Sequence, residues 1–355
     1  MSQNILITGA AGYIGGSILA DLIARSSSLI KKANISAAVR SEEQVQALSK
    51  LGINVLRLDL SDEKAVAEAV IQNQIDIVVH TASSIVGSLA LNLIKALGQR
   101  REVSGDQVYF IHSSVTTMFS EEGGWPFGEV RDTDDLLGQE KQIEPGNPVR
   151  DSNILVTEQA KILGVTSFIV VVPYTYGRGT GECKKLSVNL STYIRTSIAK
   201  RTVYKFDKDG NPPTAHISDV VALYTLIIMR ILNKDLVPSG EKGYYFAMAH
   251  RYSWWNVMQR IAEAMHARRL VDEPEAKIWP SYEMAAESLG YPLLYMRAIG
   301  TSTGELVPVN AYKLGWNPKW DEEMFMNSMD DEVLAVLELD TAKASIFDTL
   351  LTTSN

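Results

Sequence analysis

Thr8-Gly9-Ala10-Ala11-Gly12-Tyr13-Ile14-Gly15-Gly16 follows directly on the apolar run Asn4-Ile-Leu-Ile-Thr8 and leads at once into a helical pattern at 14–25. Glycines at 9, 12 and 15 permit a tight turn, let the backbone approach a pyrophosphate, and allow helix and strand to pack closely. The start of the helix offers unpaired N–H groups and the positive end of its dipole to phosphates. Three glycines alone are weak evidence. Set between a strand and a helix, Gly9, Ala11, Gly12, Tyr13, Ile14 and Gly15 read as a dinucleotide-binding turn.

Outward from this turn the chain alternates short β-branched runs with amphipathic segments of helix length, the pattern of a parallel sheet with crossover helices. Strands are expected at 4–8, 35–40, 53–58, 76–80, 107–112 and 166–172, and helices at 14–25, 42–51, 63–73, 85–98 and 149–163. Ser41 followed by Gln44 predicts a capping box, and Ser61 or Asp62 can cap the next helix. Residues 121–148, rich in Gly, Pro and acids, read as a long surface loop at a strand's carboxyl end. The expected fold is α/β: a Rossmann-type doubly wound parallel sheet with a smaller mixed α/β C-terminal substrate cap. Residues 1–176 plus about 212–249 form the nucleotide domain, and about 177–211 plus 250–355 the cap, with 331–351 packing as a final helix.

Composition narrows the function. With 34 Lys and Arg against 42 Asp and Glu, the formal charge of -8 gives no basic field for a phosphate backbone, so nucleic acid is not expected as a partner. The single Cys183 forms no internal bridge, and five His with one Cys give no zinc spacing, so no metal is expected. No apolar stretch approaches the ~20 residues of a bilayer crossing. A secreted form is not expected, and the reading is a cytoplasmic protein with a small-molecule substrate.

The end of the second strand selects the nucleotide. An acid there would hold a ribose diol, whereas the sequence has Val39-Arg40-Ser41, and the planar fork of Arg40 suits the extra phosphate of NADP. NADP is therefore expected over NAD, unless Arg40 is only a solvated residue before Ser41. Asp59 is placed either to meet an adenine edge or simply to cap the following helix.

TGAAGYIG at 8–15, VVHTAS at 78–83, FIHSSVTTMF at 110–119, VVPYTYGRG at 171–179 and HISDV at 216–220 together resemble the extended short-chain dehydrogenase/reductases. That group includes the NAD(P)-dependent epimerase/dehydratases, and within it the chain is most similar to epimerase-like proteins of fungal secondary metabolism. The likeness runs through roughly the first 235 residues. It implies cofactor contacts from Asp59 and Leu60, from Thr81, Ala82 and Ser83, and from Pro173. It also implies pairing into a homodimer through the helices after the fourth and fifth strands.

In the group, a Ser or Thr after the fifth strand orients the substrate oxygen, and a Tyr four residues before a Lys on the next helix transfers the proton. Alignment on HSSVTTMF places Ser114 at the serine and Thr116 two beyond it. The same alignment puts Val149 at the tyrosine and Asn153 at the lysine, and no Tyr-x-x-x-Lys falls on this helix. Val149 has no ionisable proton and Asn153 no charge to lower a neighbour's pKa, so the usual general acid has no occupant. Tyr174, Tyr176 and Asp151 are the candidate replacements, with Arg150 as a clamp. Each has a plain reading beside it: packing for the tyrosines, solvated helix charges for Asp151 and Arg150. His80, His112 and His216 read as structural, and Ser187 and Asn189 open a helix that faces substrate. The aromatic residues of the cap suit an apolar metabolite better than a sugar nucleotide. Three activities remain open: NADP-dependent ketone/alcohol redox, a cofactor-independent isomerase, lyase or cyclase, and non-catalytic NADP sensing.

Overall fold

The computed structural model describes residues 3–25 and 29–339. Strands β1 (Asn4–Thr8), β2 (Ile35–Val39), β3 (Asn54–Arg57), β4 (Ile75–His80) and β5 (Tyr109–Val115) alternate with α1 (Tyr13–Ala24), α2 (Glu42–Ser49), α3 (Glu63–Gln72) and α4 (Gly87–Ser104). Then come β6 (Val130–Arg131), α5 (Leu136–Glu140), α6 (Pro148–Ile162), β7 (Thr166–Val172), β8 (Tyr174–Tyr176), α7 (Val188–Lys200), β9 (Tyr204–Lys205) and β10 (Pro213–His216). The chain continues through α8 (Ile217–Leu232), β11 (Tyr244–Phe246), β12 (His250–Arg251), α9 (Trp254–Ala267), β13 (Lys277–Ile278) and α10 (Tyr282–Leu289). It closes with α11 (Met296–Gly300), β14 (Leu306–Val307), α12 (Asn310–Leu314), α13 (Glu322–Asn327) and α14 (Met329–Leu339).

The main sheet has the order β11-β7-β5-β4-β1-β2-β3, with every neighbouring pair parallel. This is a Rossmann-type α/β fold. Successive side chains of a strand point to opposite faces, and the core divides accordingly. Ile5 and Ile7 face α1 and α8, meeting Ile18, Leu22, Val220 and Ile227. Leu6, Val78 and Phe110 face the other way, onto Val66 of α3, Leu93 of α4 and Val156 of α6. From β1 the chain moves outward to β2 and β3, then returns to the opposite side of β1 at β4. The switch point therefore lies between the carboxyl ends of β1 and β4, where ligands of such sheets bind. A separate core joins Tyr193, Trp254, Met258 and Ile261 to Val333 of α14.

Several expectations are corrected. The sheet has seven strands rather than six, because Tyr244–Phe246 pairs with β7 as β11. The fifth strand extends to Val115, so Ser114 lies on it instead of beyond it. Residues 121–148 are not a surface loop: Trp125, Val130, Leu136 and Glu140 are buried, β6 pairs with β14, and α5 packs on α6. Trp316 belongs to the core of the main sheet and not to that of the cap. The expected final helix is seen as α14 to Leu339, and its continuation at 340–351 lies outside the described residues. The predicted capping box of Ser41 and Gln44 is present, and Asp62 is the cap of α3.

Candidate functional site

The glycine turn is closed by its neighbours. Gly9 has φ of +70°, and its carbonyl accepts from Gly12 N at 2.8 Å. A Cβ on Gly15 would sit 2.3 Å from Thr81 Oγ1 and 2.4 Å from Gly9 O, a space no side chain can enter. Thr81 in turn donates to Thr8 O at 2.7 Å, so its hydroxyl fixes the turn from β4. The N-cap of α1, Gly12, provides no side-chain bond, and no acid occupies the first turn. The first N–H groups of α1 are thus left for an anion. Tyr13 donates its hydroxyl to Gly177 O at 2.6 Å. Ala11 is buried and Ile14 half-buried.

The other expected cofactor residues lie at the same edge of the sheet. Arg40 and Asp59 are both exposed, just past the ends of β2 and β3, which are joined there by Leu58 N to Val39 O at 2.9 Å. Asp59 accepts from Ser61 N at 2.9 Å and Ser61 Oγ at 2.7 Å. These bonds, with a smaller contribution from the charge of Arg40, hold its carboxyl below the usual range. Leu60 is buried, Ala82 exposed and Pro173 buried. Ser83 Oγ accepts from Ile85 N at 3.2 Å and Val86 N at 3.0 Å, so it shapes the entry to α4.

Ser114, on β5, stands opposite Val171 of β7 and is wholly buried. Its hydroxyl donates to Met118 Sδ at 3.6 Å. Thr116 is buried at the start of the short turn Thr116–Phe119. On α6, Asn147 caps the helix, Val149 packs with Met118 and Phe119, and Asn153 Nδ2 donates to Met118 Sδ at 3.3 Å and to Glu140 Oε1 at 3.0 Å. Glu140 Oε2 accepts from Tyr244 OH at 2.8 Å. Burial pushes the Glu140 carboxyl up to about 7, against the opposing pull of Asn153, Tyr244 and Arg150. Arg150 is buried, donates to Gly123 O and Gly124 O, and has its own pKa lowered by burial. Met118, Glu140 and Tyr244 were not singled out by the sequence. The apolar pair Leu136-Leu137 among acids was the available sign of a packed turn that could carry Glu140 inward.

Tyr174 and Tyr176 are not brought onto Ser114 by any contact among the described residues. Tyr174 OH donates to Ile299 O, and its ring lies against Trp254. Tyr176 packs on Phe325 and bonds to His250 Nε2 at 3.2 Å. Burial raises both phenols far above their ordinary range, which makes them poor proton donors. Asp151 accepts from Gly146 N at 3.1 Å and holds the approach to α6. The Tyr-x-x-x-Lys spacing at Tyr204 and Lys208 lies in the cap, with Tyr204 stacked on Trp279 and Lys208 paired with Glu122. His80 bonds to Thr8 Oγ1 at 2.8 Å and stacks on His112; burial pushes them down to about 4 and about 3. His216 caps α8. Ser187 stands at the N-cap position of α7 without a side-chain capping bond, and Asn189 accepts from Tyr291 OH at 3.2 Å.

Residues 5–136 match the model of the NAD dependent epimerase/dehydratase family. This stretch carries the glycine turn, Arg40, Asp59, Thr81 and Ser114. Comparison with curated proteins gives no match. Among solved structures, UDP-glucose 4-epimerase from Thermotoga maritima is 16% identical with a TM-score of 0.64, covering 94% of this chain and 100% of that one. L-threonine dehydrogenase from Clostridium difficile is 15% identical with a TM-score of 0.64, covering 94% and 98%. dTDP-glucose 4,6-dehydratase from Bacillus anthracis, solved with NAD, is 13% identical with a TM-score of 0.64, covering 96% and 98%. At such identities these are likenesses of fold. No helix among the described residues is long and apolar enough to cross a membrane.

Proposed function

We propose that this chain is a nicotinamide-nucleotide-dependent oxidoreductase, binding NADP in preference to NAD and interconverting a ketone and an alcohol on a small, largely apolar metabolite of the kind found in secondary metabolism. The observation that carries the reading is the glycine turn at the switch point. Its crowding by Thr81 and its uncapped helix start leave backbone N–H groups for a diphosphate and no space for side chains. Gly9, Ala11, Gly12, Tyr13, Ile14 and Gly15 would hold the diphosphate, Arg40 the phosphate of NADP, and Asp59 with Leu60 the adenine side. The bound nicotinamide would supply or accept hydride. The family model over residues 5–136 and the NAD named in the dehydratase structure support the cofactor class. The exposed Arg40, with no acid at its position, supports the phosphate preference.

Val149 and Asn153 favour a second reading, in which the same fold works as an isomerase, lyase or cyclase without hydride transfer, or only senses NADP. Calorimetric titration with NADPH and NADH separates these. The expected outcome is tighter NADPH binding, with Arg40→Ala weakening NADPH about tenfold and NADH little, a loss of about 1.4 kcal/mol. Failure of both nucleotides to bind would overturn the reading, and equal weakening by Arg40→Ala would remove the phosphate contact from it.

A further inference from the structure

Two buried donors on different elements converge on one poor acceptor. Ser114 Oγ approaches Met118 Sδ at 3.6 Å from β5, and Asn153 Nδ2 approaches the same sulfur at 3.3 Å from α6. Ser114 and Asn153 are 0% exposed and Met118 1%. A thioether accepts hydrogen bonds weakly, so these two contacts return little of what burying a hydroxyl and an amide costs. A carbonyl or alkoxide oxygen at the same point would receive both donors far more strongly.

The amide is aimed, not free. Glu140 Oε1 takes its other hydrogen at 3.0 Å, and Glu140 is itself held by Tyr244 OH at 2.8 Å. Asn153 Oδ1 has no partner, so the side chain is turned to favour its donor side at the expense of its acceptor. Met118 is unbranched, with three torsions about which it can swing, which makes it a replaceable filler. The surrounding walls are apolar: Val149, Ile169, Val171 and Phe246, with Ile85 and Met248 partly open.

We propose that Asn153 is a second donor beside Ser114, which the resemblance already places at the substrate oxygen, for the oxygen of a small apolar ketone or secondary alcohol, that Met118 holds this place in the free protein and moves aside for the ligand, and that Glu140 is the positioning residue that aims Asn153. The proposal deepens the oxidoreductase reading by naming the atoms that receive the substrate oxygen, and it rests on that reading for the substrate class.

The test uses acetophenone carrying carbon-13 in its carbonyl, bound to the full chain and followed by difference infrared spectroscopy. Met118→Ala is expected to bind the probe about tenfold more tightly than the unaltered chain, with the carbonyl band at lower wavenumber than in an apolar solvent. In that background Ser114→Ala or Asn153→Leu moves the band part of the way back, and both together remove the shift. Glu140→Gln, which keeps an acceptor facing Asn153, retains the shift, whereas Glu140→Leu reduces it as Asn153→Leu does. No gain in affinity, or a band unmoved by both donor changes, overturns the proposal. If Met118→Ala does not fold, methyl-labelled methionine in the unaltered chain decides: the Met118 signal, identified through Met118→Leu, must move when acetophenone saturates the protein, and a fixed signal overturns the proposal. Each titration is repeated with NADPH. A shifted band without NADPH binding would sink the nucleotide reading and leave the donor pair standing; NADPH binding with an unshifted band does the reverse.

Discussion

A methyl group on Gly15 would press into Gly9 O, close along the chain, and into Thr81 Oγ1, at the end of one neighbouring strand. Gly15→Ala should therefore cost on the order of 1–3 kcal/mol of stability and weaken nucleotide binding about a hundredfold. Thermal unfolding and calorimetry on the variant check both, and unchanged nucleotide affinity would show that the turn is only a fold element. The setting of the three glycines between a strand and a helix marked the position in the sequence, whereas the crowding by Thr81 comes from far along the chain and no spacing encodes it. Val149 and Asn153 were read through the resemblance alone, by alignment with the tyrosine and lysine of the group. Met118 and Glu140 were not legible, because Asn153 meets them from 35 and 13 residues away through contacts that no local spacing encodes.

At the scale of elements, the sheet and its helices follow from periodicity, while the segment 121–148 does not. Its glycines, prolines and acids are those of a loop, yet Trp125, Val130 and Leu136 are buried against α6, β11 and β14. A few apolar residues at irregular spacing have no period to detect, and only the finished sheet gives them a surface. The same packing carries Glu140, the last residue of α5, into the interior. Its carboxyl is pushed from 4.5 up to about 7, chiefly by burial. The native chain then holds a proton that the unfolded chain releases. The stabilising contribution is complete below 4.5 and is lost as the pH rises through 7. Glu140→Gln removes this loss. Between pH 4.5 and 8 the unaltered chain should lose on the order of 3 kcal/mol relative to the variant, measured by urea unfolding at the two values. Parallel pH dependence in the two chains would show that Glu140 is already ionised in the native state.

Over the whole molecule, residues near the two ends of the sequence meet at one residue, Gly177. Gly177 O accepts from Tyr13 OH at 2.6 Å, and Gly177 N donates to Glu332 Oε1 at 2.5 Å from α14. Thr180 N donates to Ser17 Oγ at 3.2 Å, and Arg268 pairs with Asp330, tying α14 to α9. The segment after β8 is therefore clamped between the glycine turn and the C-terminal core. The clamp was invisible in the sequence, because Gly177 and Glu332 lie 155 residues apart and their helix reads only as amphipathic. It predicts coupling between the last described helix and the glycine turn proposed to hold the cofactor. Glu332→Ala leaves the Gly177 N–H unpaired and loosens the hold on Tyr13, so nucleotide affinity should fall about tenfold, equivalent to about 1.4 kcal/mol. Glu332→Gln retains an oxygen acceptor and should stay within about a factor of two of the unaltered chain. Calorimetry with the preferred nucleotide on both variants reads this directly. A loss shared equally by the two would assign the effect to charge. Full affinity in both would show that the cap holds its own shape without transmitting it to the turn.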